Sequence, residues 1–303
     1  MKPLLTFVVF IFLCLGWLGC NQTFEPEGPV NNKLVLYSIL ASQTDTQYVR
    51  LSTTYGSSPV PDVKGALVQL VGPNRTLTFK DTTVQWLDAQ GNFSPTNVYV
   101  AYHAPVVGGQ QYELQASTIT GLTASANATP VSAPSFVIHA SPTPGYFTLD
   151  TRFATEAGAF VMRFYVDFYA LVEGGFEFHR EEVPTGSSVD QAGNVVLTYP
   201  QLSLVALLSH NRGTIPIKFD SAAFNQTVSR ILTRYPGGVV VFLQIAFSLT
   251  QIDDVLYSYY YFNNGPVDKS TIRLDQPDFT NVANGFGVVG SRVQVNRFYR
   301  LNR

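Results

Sequence analysis

Residues 159–169 read AFVMRFYVDFY, and this stretch decides the fold class. One alternate set of its positions is purely apolar and consists of Phe160, Met162, Phe164, Val166 and Phe168. The other set mixes apolar side chains with the charged side chains of Arg163 and Asp167. Because successive side chains of a strand point to opposite faces, this period of two predicts a β-strand with one face in a hydrophobic core.

Further β-type runs extend in both directions from this stretch and are separated by turn residues. In the second half of the chain they are residues 146–152, 159–171, 175–183, 195–199, 214–219 and 239–249. In the first half they are residues 33–40, 47–53, 66–71, 76–80, 97–102 and 111–117. Pro216 predicts that residues 214–219 form an edge strand, because proline has no N–H to donate to a neighbour.

Two stretches have apolar residues at helical spacing instead. They are residues 221–234 and residues 250–263, and we predict a helix for each. Thr250 and Asp253 form a capping-box-like start for the second helix, with Asp in place of the usual Glu.

The spacing of the first six runs is typical of an immunoglobulin-like β-sandwich of roughly 100 residues. A proline-rich segment follows and contains Pro130, Pro134, Pro142 and Pro144. Fixed φ angles and missing N–H donors disfavour sheet pairing there, except for a short edge strand at residues 137–138. We therefore predict a mainly β protein, in which an immunoglobulin-like sandwich (residues 33–128) precedes a second β-rich domain (residues 145–303) with one or two helices.

The N-terminus has the pattern of a lipoprotein signal peptide over residues 1–19. A basic residue, Lys2, is followed by the uncharged apolar run 4–18. Gly19 before Cys20 resembles a lipobox, although Trp17 stands where that motif usually has Leu. We predict cleavage before Cys20 and lipidation of its sulfur.

Cysteine usage supports this prediction, because Cys14 would leave with the signal peptide and Cys20 would be the sole thiol of the mature chain. Residues 20–32 are polar, include two prolines, and predict a tether between lipid and body. The alternative is an uncleaved N-terminal anchor, with Cys20 as an incidental thiol.

Charge excludes one class of partner. The chain has 19 basic and 21 acidic side chains, spread along its length, so no basic stripe favours nucleic acid. Aromatic residues make up 13% of the chain and suit the half-buried faces of sheets.

Catalytic and metal-binding motifs are not recognisable in the sequence. The four histidines lie far apart, and neither a nucleophile elbow nor a phosphate-binding loop is present. His179 with Glu177 and Glu181 could offer metal ligands on one strand face, but a solvated strand face is the favoured interpretation. Asp253 and Asp254 could act as paired carboxylates, but negative charge at a helix start explains them better. We therefore expect no catalytic residue, no metal and no cofactor.

Aromatic side chains are densest in residues 257–262. On a helix they cannot all face one core, so Tyr257, Tyr260 and Tyr261, together with Phe286, are the predicted partner or ligand surface. The alternative is packing of these rings against the sheet. Near Phe286, the glycines 285, 287 and 290 predict a bulge or a tight backbone approach.

The order of several segments resembles a known family. These segments are KLVLY (33–37), VKGALVQL (63–70), YEL (112–114), QIAFSLTQIDDVLYSYY (244–260) and FTNVANGFGVVG (279–290). They are similar to those of the Bacteroidota outer-membrane lipoproteins classed as domain of unknown function 4249. The resemblance implies an envelope lipoprotein whose relatives are often encoded beside TonB-dependent outer-membrane transporters, and it supplies no active site.

The sequence and this resemblance together predict a non-catalytic lipoprotein, anchored in the outer membrane through lipid on Cys20 and facing either the periplasm or the cell surface. Its predicted role is that of an accessory or ligand-binding partner of a TonB-dependent transporter, with a glycan or a peptide as possible ligand. A glycan-binding or adhesive surface lipoprotein is the alternative.

Overall fold

The structure is a computed structural model that describes residues 32–54, 63–87, 93–140, 146–205, 212–218, 221–264 and 279–300. Cys20, the signal peptide and nearly all of the tether lie outside these residues. Within them the chain is mainly β, as predicted, with a sandwich-like arrangement and two helices.

The elements are as follows in chain order. The strands are β1 (Leu34–Ala41), β2 (Gln47–Thr53), β3 (Leu67–Val71), β4 (Thr76–Thr78), β5 (Lys80–Leu87), β6 (Phe93–Ala101), β7 (Tyr112–Ser117), β8 (Thr123–Ala128), β9 (Ser135–Ala140), β10 (Tyr146–Arg152), β11 (Ala159–Val172), β12 (Gly175–Val183), β13 (Gly186–Val189), β14 (Val195–Thr198), β15 (Ser203–Leu204), β16 (Arg212–Lys218), β17 (Val240–Ile252) and β18 (Phe286–Arg300). The helices are α1 (Ser221–Arg234) and α2 (Asp254–Asn264).

A nine-stranded main sheet organises the fold, in the order β12-β11-β17-β18-β1-β2-β6-β5 with β15 beside β11. Its centre is a parallel pair of β1 and β18, in register from Val35 opposite Phe286 to Ala41 opposite Arg292. The smaller sheets are β4-β3-β7-β8, β16-β10-β9 and the hairpin β13-β14. The first and last strands of the described chain therefore lie side by side.

One hydrophobic core lies between the main sheet and the sheet β4-β3-β7-β8. Leu34, Leu36 and Leu40 of β1 enter it from one side, and Leu70 and Leu114 enter it from the other; all five are buried. Buried and exposed residues alternate along β2, and its Val49 and Leu51 join this core. Two sheets packed face to face in this way form a sandwich.

A second core covers the same inner face of the main sheet further along. Phe164, Val166 and Phe168 of β11 are buried there, as the period of two predicts. Helix α1 contributes the buried Ile231 to this core. Arg230 of the same helix lies 2.9 Å from Glu181 of β12, so α1 packs beside that strand.

Most predicted elements are confirmed, and helix α1 has the predicted bounds. The edge position of residues 214–219 is also correct, because β16 pairs with β10 alone. The predicted start of the second helix is wrong: residues 250–252 complete strand β17, and the helix begins at Asp254. Residues 76–80 are not one strand, because the chain leaves the sheet after Thr78 and passes the buried Phe79 before entering β5.

The division into two domains at residues 128–145 stays a prediction. The two cores are composed largely of residues on either side of this segment. However, strands of both predicted domains share the main sheet, and Val289 of β18 belongs to the first core.

Candidate functional site

Among the described residues, a helix covers one end of the outer face of the main sheet, the face opposite the two cores. Helix α2 packs there, with Leu256 buried against Ala159 and Ile252 and with Tyr259 contacting Tyr37 of β1 edge to face, the ring centroids lying 5.5 Å apart. Helix α2 therefore lies over the start of β11 and over β1.

At the other end of this face, the hairpin of β11 and β12 carries a set of apolar side chains exposed to solvent. We call Tyr169, Leu171, Phe176 and Phe178 the aromatic surface; they are 39%, 43%, 56% and 52% exposed. Tyr169 lies opposite Phe178 and Leu171 lies opposite Phe176, so cross-strand pairing brings the four together. The rings of Tyr169 and Phe178 pack edge to face with centroids 5.9 Å apart.

The charged groups beside the aromatic surface neutralise one another. Arg180 donates two hydrogen bonds to the fully buried Asp167, of 2.7 and 2.9 Å, and Gln244 donates a third of 3.0 Å. The hydrogen bond to Asp167 raises the pKa of Arg180, which stays protonated. Arg163 pairs with Glu182 at 3.1 Å on the same face. The aromatic surface is thus bordered by paired charges, an arrangement typical of a surface that binds an apolar partner.

Three of the four predicted aromatic site residues lie in helix α2, and the fourth, Phe286, lies at the start of β18. Tyr257 and Tyr260 are half-buried and pack against the cluster of Leu256. Tyr261 is in the helix, but its side chain lies outside the described residues. Phe286 is 40% exposed at the start of β18, with the Lys33 ammonium 5.3 Å from its ring centroid. Tyr257 and Tyr260 therefore help to attach α2 to the sheet, the packing that was the alternative in the sequence.

The sequence did not single out the aromatic surface, although it contains a signal. In GFEFHREEV (175–183), Phe176 and Phe178 share a face with Arg180 and Glu182. A strand face that combines phenylalanines with charged residues is exposed in part, because a core would not accept the charges unpaired.

The predicted glycine role is confirmed. Gly287 has a φ of +112°, and a Cβ there would collide with the Leu36 backbone of the neighbouring strand. A Cβ on Gly285 would lie 2.5 Å from the Leu34 carbonyl oxygen. These glycines permit the close approach of β18 to β1.

Asp253, at the start of α2, is hydrogen-bonded to the helix and to β18, and through Ser291 it is linked to the segment that contains Val131. Its Oδ1 accepts a hydrogen bond of 2.8 Å from the Leu256 N–H, which makes it the N-cap. Its Oδ2 accepts one of 3.0 Å from the Ser291 hydroxyl of β18, and that hydroxyl accepts one of 3.1 Å from the Val131 N–H. Burial raises the pKa of Asp253 to about 6. Asp253 has a structural role here.

Glu177, His179 and Glu181 lie on the same face of β12, as alternate residues of a strand do, and His179 is 3.9 Å from Glu177. However, His179 and Glu181 have other partners. His179 stacks on the Phe168 ring with centroids 5.4 Å apart, and Arg230 and Arg234 each lie 2.9 Å from Glu181. No group of three His, Cys, Asp or Glu side chains within the described ranges could hold a metal ion. Within the same ranges, no helix is long and apolar enough to span a membrane.

The fold and this surface define the class: a mainly β protein with a sandwich-like core and exposed aromatic side chains on one face of its main sheet. The chain belongs to the family described as domain of unknown function (DUF4249), whose model matches residues 21–297. No curated protein matches the chain.

Solved structures resemble the chain at low sequence identity. A DUF4785 family protein from Legionella pneumophila is 12% identical, with 71% of this chain and 52% of that chain covered and a TM-score of 0.23. The dimeric latent PorU from Porphyromonas gingivalis is 9% identical, with 73% and 18% covered and a TM-score of 0.18. The C-terminal globular domain of an oligosaccharyltransferase from Pyrococcus abyssi is 12% identical, with 70% and 43% covered and a TM-score of 0.22. The chain thus spans about half or less of the length of each.

Proposed function

We propose that this protein is a non-catalytic lipoprotein of the bacterial outer membrane that docks an outer-membrane transporter through the aromatic surface. The exposure of Tyr169, Leu171, Phe176 and Phe178 on one sheet face carries the proposal. Exposed aromatic side chains are the groups that contribute most to protein interfaces, and they are costly to leave in water without a partner.

The position of the aromatic surface supports a protein as the occupant. From Phe286, which pairs with Val35 near the start of the body, strand β18 rises about 40 Å to Phe298, at about 3.3 Å per residue. Phe298 lies opposite Ala246 of β17, and Ala246 lies opposite Tyr165 of β11. Tyr169 lies four residues further along β11, beyond the level of Phe298. The aromatic surface therefore lies at the end of the main sheet opposite the start of β1. Exposed aromatic side chains at the end of a sheet suit contact with a protein surface.

Capture of the partner tests this function. The tagged full chain is purified from envelopes solubilised in mild detergent, and we expect an integral outer-membrane transporter to co-purify with it. Replacing Phe176 and Phe178 together by Ser should reduce that recovery at least fivefold. Ile119→Ser is the matched control, because Ile119 is 96% exposed in a turn outside the aromatic surface. Purification without a transporter, or equal recovery with the double variant, would contradict the proposal.

Lipid attachment is tested by a second, separate experiment. Cells expressing the chain are labelled with radioactive palmitate, and the wild type and Cys14→Ser should incorporate label whereas Cys20→Ser should not. Two or three acyl chains hold a protein stably on a membrane, since each buried CH₂ contributes about 0.8 kcal/mol. Label in the Cys20→Ser variant, or none in the wild type, would show that the anchor is not a lipid on Cys20.

A further inference from the structure

A small cleft lies on the sheet β4-β3-β7-β8, on the side that faces away from the first core. Its volume is about 250 Å³, and its lining includes Leu67, Gln69, Glu113, Gln115, Ser125 and Asn284. This volume is slightly below the range of about 300–1,000 Å³ that drug-sized ligands occupy. The cleft therefore suits a ligand of about the size of one sugar ring.

The floor of the cleft is an in-register row of polar side chains. Gln69 of β3 lies opposite Gln115 of β7, and Gln115 lies opposite Ser125 of β8. Ser125 in turn forms an isolated bridge to Ala283, and Asn284 follows as the wall of the cleft. Side-chain amides thus approach the cleft from two strands and from the segment before β18.

The wall is fixed by main-chain and side-chain hydrogen bonds. Ser125 and Ala283 exchange two backbone hydrogen bonds of 3.1 and 2.7 Å. The Asn281 side chain donates one of 2.8 Å to the Val289 carbonyl and accepts one of 2.9 Å from the Val289 N–H. Asn284 itself has a φ of +59°, in the left-handed region that asparagine adopts more readily than most residues with side chains.

The lining favours a neutral, hydroxyl-rich ligand. Gln69, Gln115 and Asn284 each present a donor and an acceptor, as a sugar hydroxyl requires, and Glu113 adds a carboxylate acceptor. The lining residues of the cleft include no Lys, Arg or His, so an anion would have no charge partner. Leu67, which is 51% exposed, offers an apolar contact for the C–H face of a ring.

We propose that this cleft binds one neutral sugar unit, with the segment 281–290 serving as its preformed wall. The inference does not depend on the aromatic surface, which lies on the main sheet. It gives the glycan-binding alternative a site other than the helix tyrosines.

The test uses the full chain in detergent on an array of neutral and acidic glycans, followed by calorimetric titration with the neutral saccharide that binds best. Gln115→Ala should weaken that binding at least tenfold. Asn284→Gly should do the same without loss of stability, because glycine adopts a φ of +59° freely. Gln85→Ala is the matched control, since Gln85 is an exposed glutamine on β5 outside the cleft, and its affinity should stay within twofold.

Three results would overturn the proposal: no neutral saccharide binds, only acidic glycans bind, or both variants bind as tightly as the wild type. Transporter capture by the Gln115→Ala variant should be unchanged, so failure here and failure of the docking function are distinguishable.

Discussion

Replacement of Asp253 by Asn should make the protein more stable at neutral pH and should remove part of its pH dependence. The folded-state pKa of about 6 exceeds the ordinary value of 3.8, because burial disfavours the charged carboxylate. Between these two values the folded state binds more protons than the unfolded state. The contribution of Asp253 to stability is therefore fully present below pH 3.8 and is lost as the pH rises through 6.

The magnitude follows from the two pKa values. Their difference corresponds to about 3 kcal/mol in total, and about 1.4 kcal/mol of it is lost between pH 5 and pH 8. Asn retains the cap, because its carbonyl oxygen can accept from the Leu256 N–H. Its NH₂ can donate to the Ser291 hydroxyl, which then donates to the Thr129 carbonyl 3.4 Å away.

Urea unfolding of the purified protein, followed by circular dichroism at pH 5 and pH 8, measures the effect. The wild type should lose about 1.4 kcal/mol more than Asp253→Asn over this interval. Asp254→Asn, which leaves the cap in place, should keep most of the wild-type dependence. If Asp253→Asn and the wild type have the same difference between the two pH values, Asp253 is ionised at no cost and the reasoning is wrong.

Two further substitutions test the sheet. Gly287→Ala should destabilise the protein by at least about 3 kcal/mol, because a Cβ there meets the Leu36 backbone and φ is +112°. Gly121→Ala should cost only about 1 kcal/mol, because Gly121 has a φ of +84° but open space around it. Equal losses of unfolding free energy in urea would contradict the tight approach of β18 to β1. Arg180→Ala should cost about 3 kcal/mol, because it removes the cationic partner of the buried Asp167 and leaves only the Gln244 hydrogen bond described above. Arg163→Ala should cost less than about 1 kcal/mol, because Arg163 and Glu182 are both partly exposed. A small loss for Arg180→Ala in the same assay would show that Asp167 is solvated.

Local patterns predicted those elements whose own residues define a face. Helix α1 has apolar residues at helical spacing, and one alternate set of positions in β11 is purely apolar, so both elements can be predicted from their own residues. Strand β8 was missed because TASANA buries only alanines, and its β-structure depends on its partner β7. Thr250 looked like a cap because the alternation of β17 includes polar residues; the true cap is Asp253.

The candidate site was harder to predict, because exposure depends on which elements cover a face. Both α2 and β12 carry clusters of aromatic residues, and the sequence alone does not show which of these rings are exposed. Only the packing of α2 onto Ile39 and Ala159 shows that its rings are half-buried while Phe176 and Phe178 are uncovered. The cleft likewise requires the bridge between Ser125 and Ala283, which are far apart in the chain.

The parallel pairing of β1 with β18 has a consequence for how the molecule forms. In a chain that emerges N-terminus first, β1 can pair with β2 at once, but it cannot pair with β18 until residues from Phe286 onward have been made. Until then one edge of β1 is unpaired. Contacts of such high sequence separation form slowly, because the loop entropy is lost before the contact stabilises. Folding of the main sheet is therefore completed only when the last strand arrives, and a molecule truncated before β18 would expose an open, aggregation-prone edge at its centre.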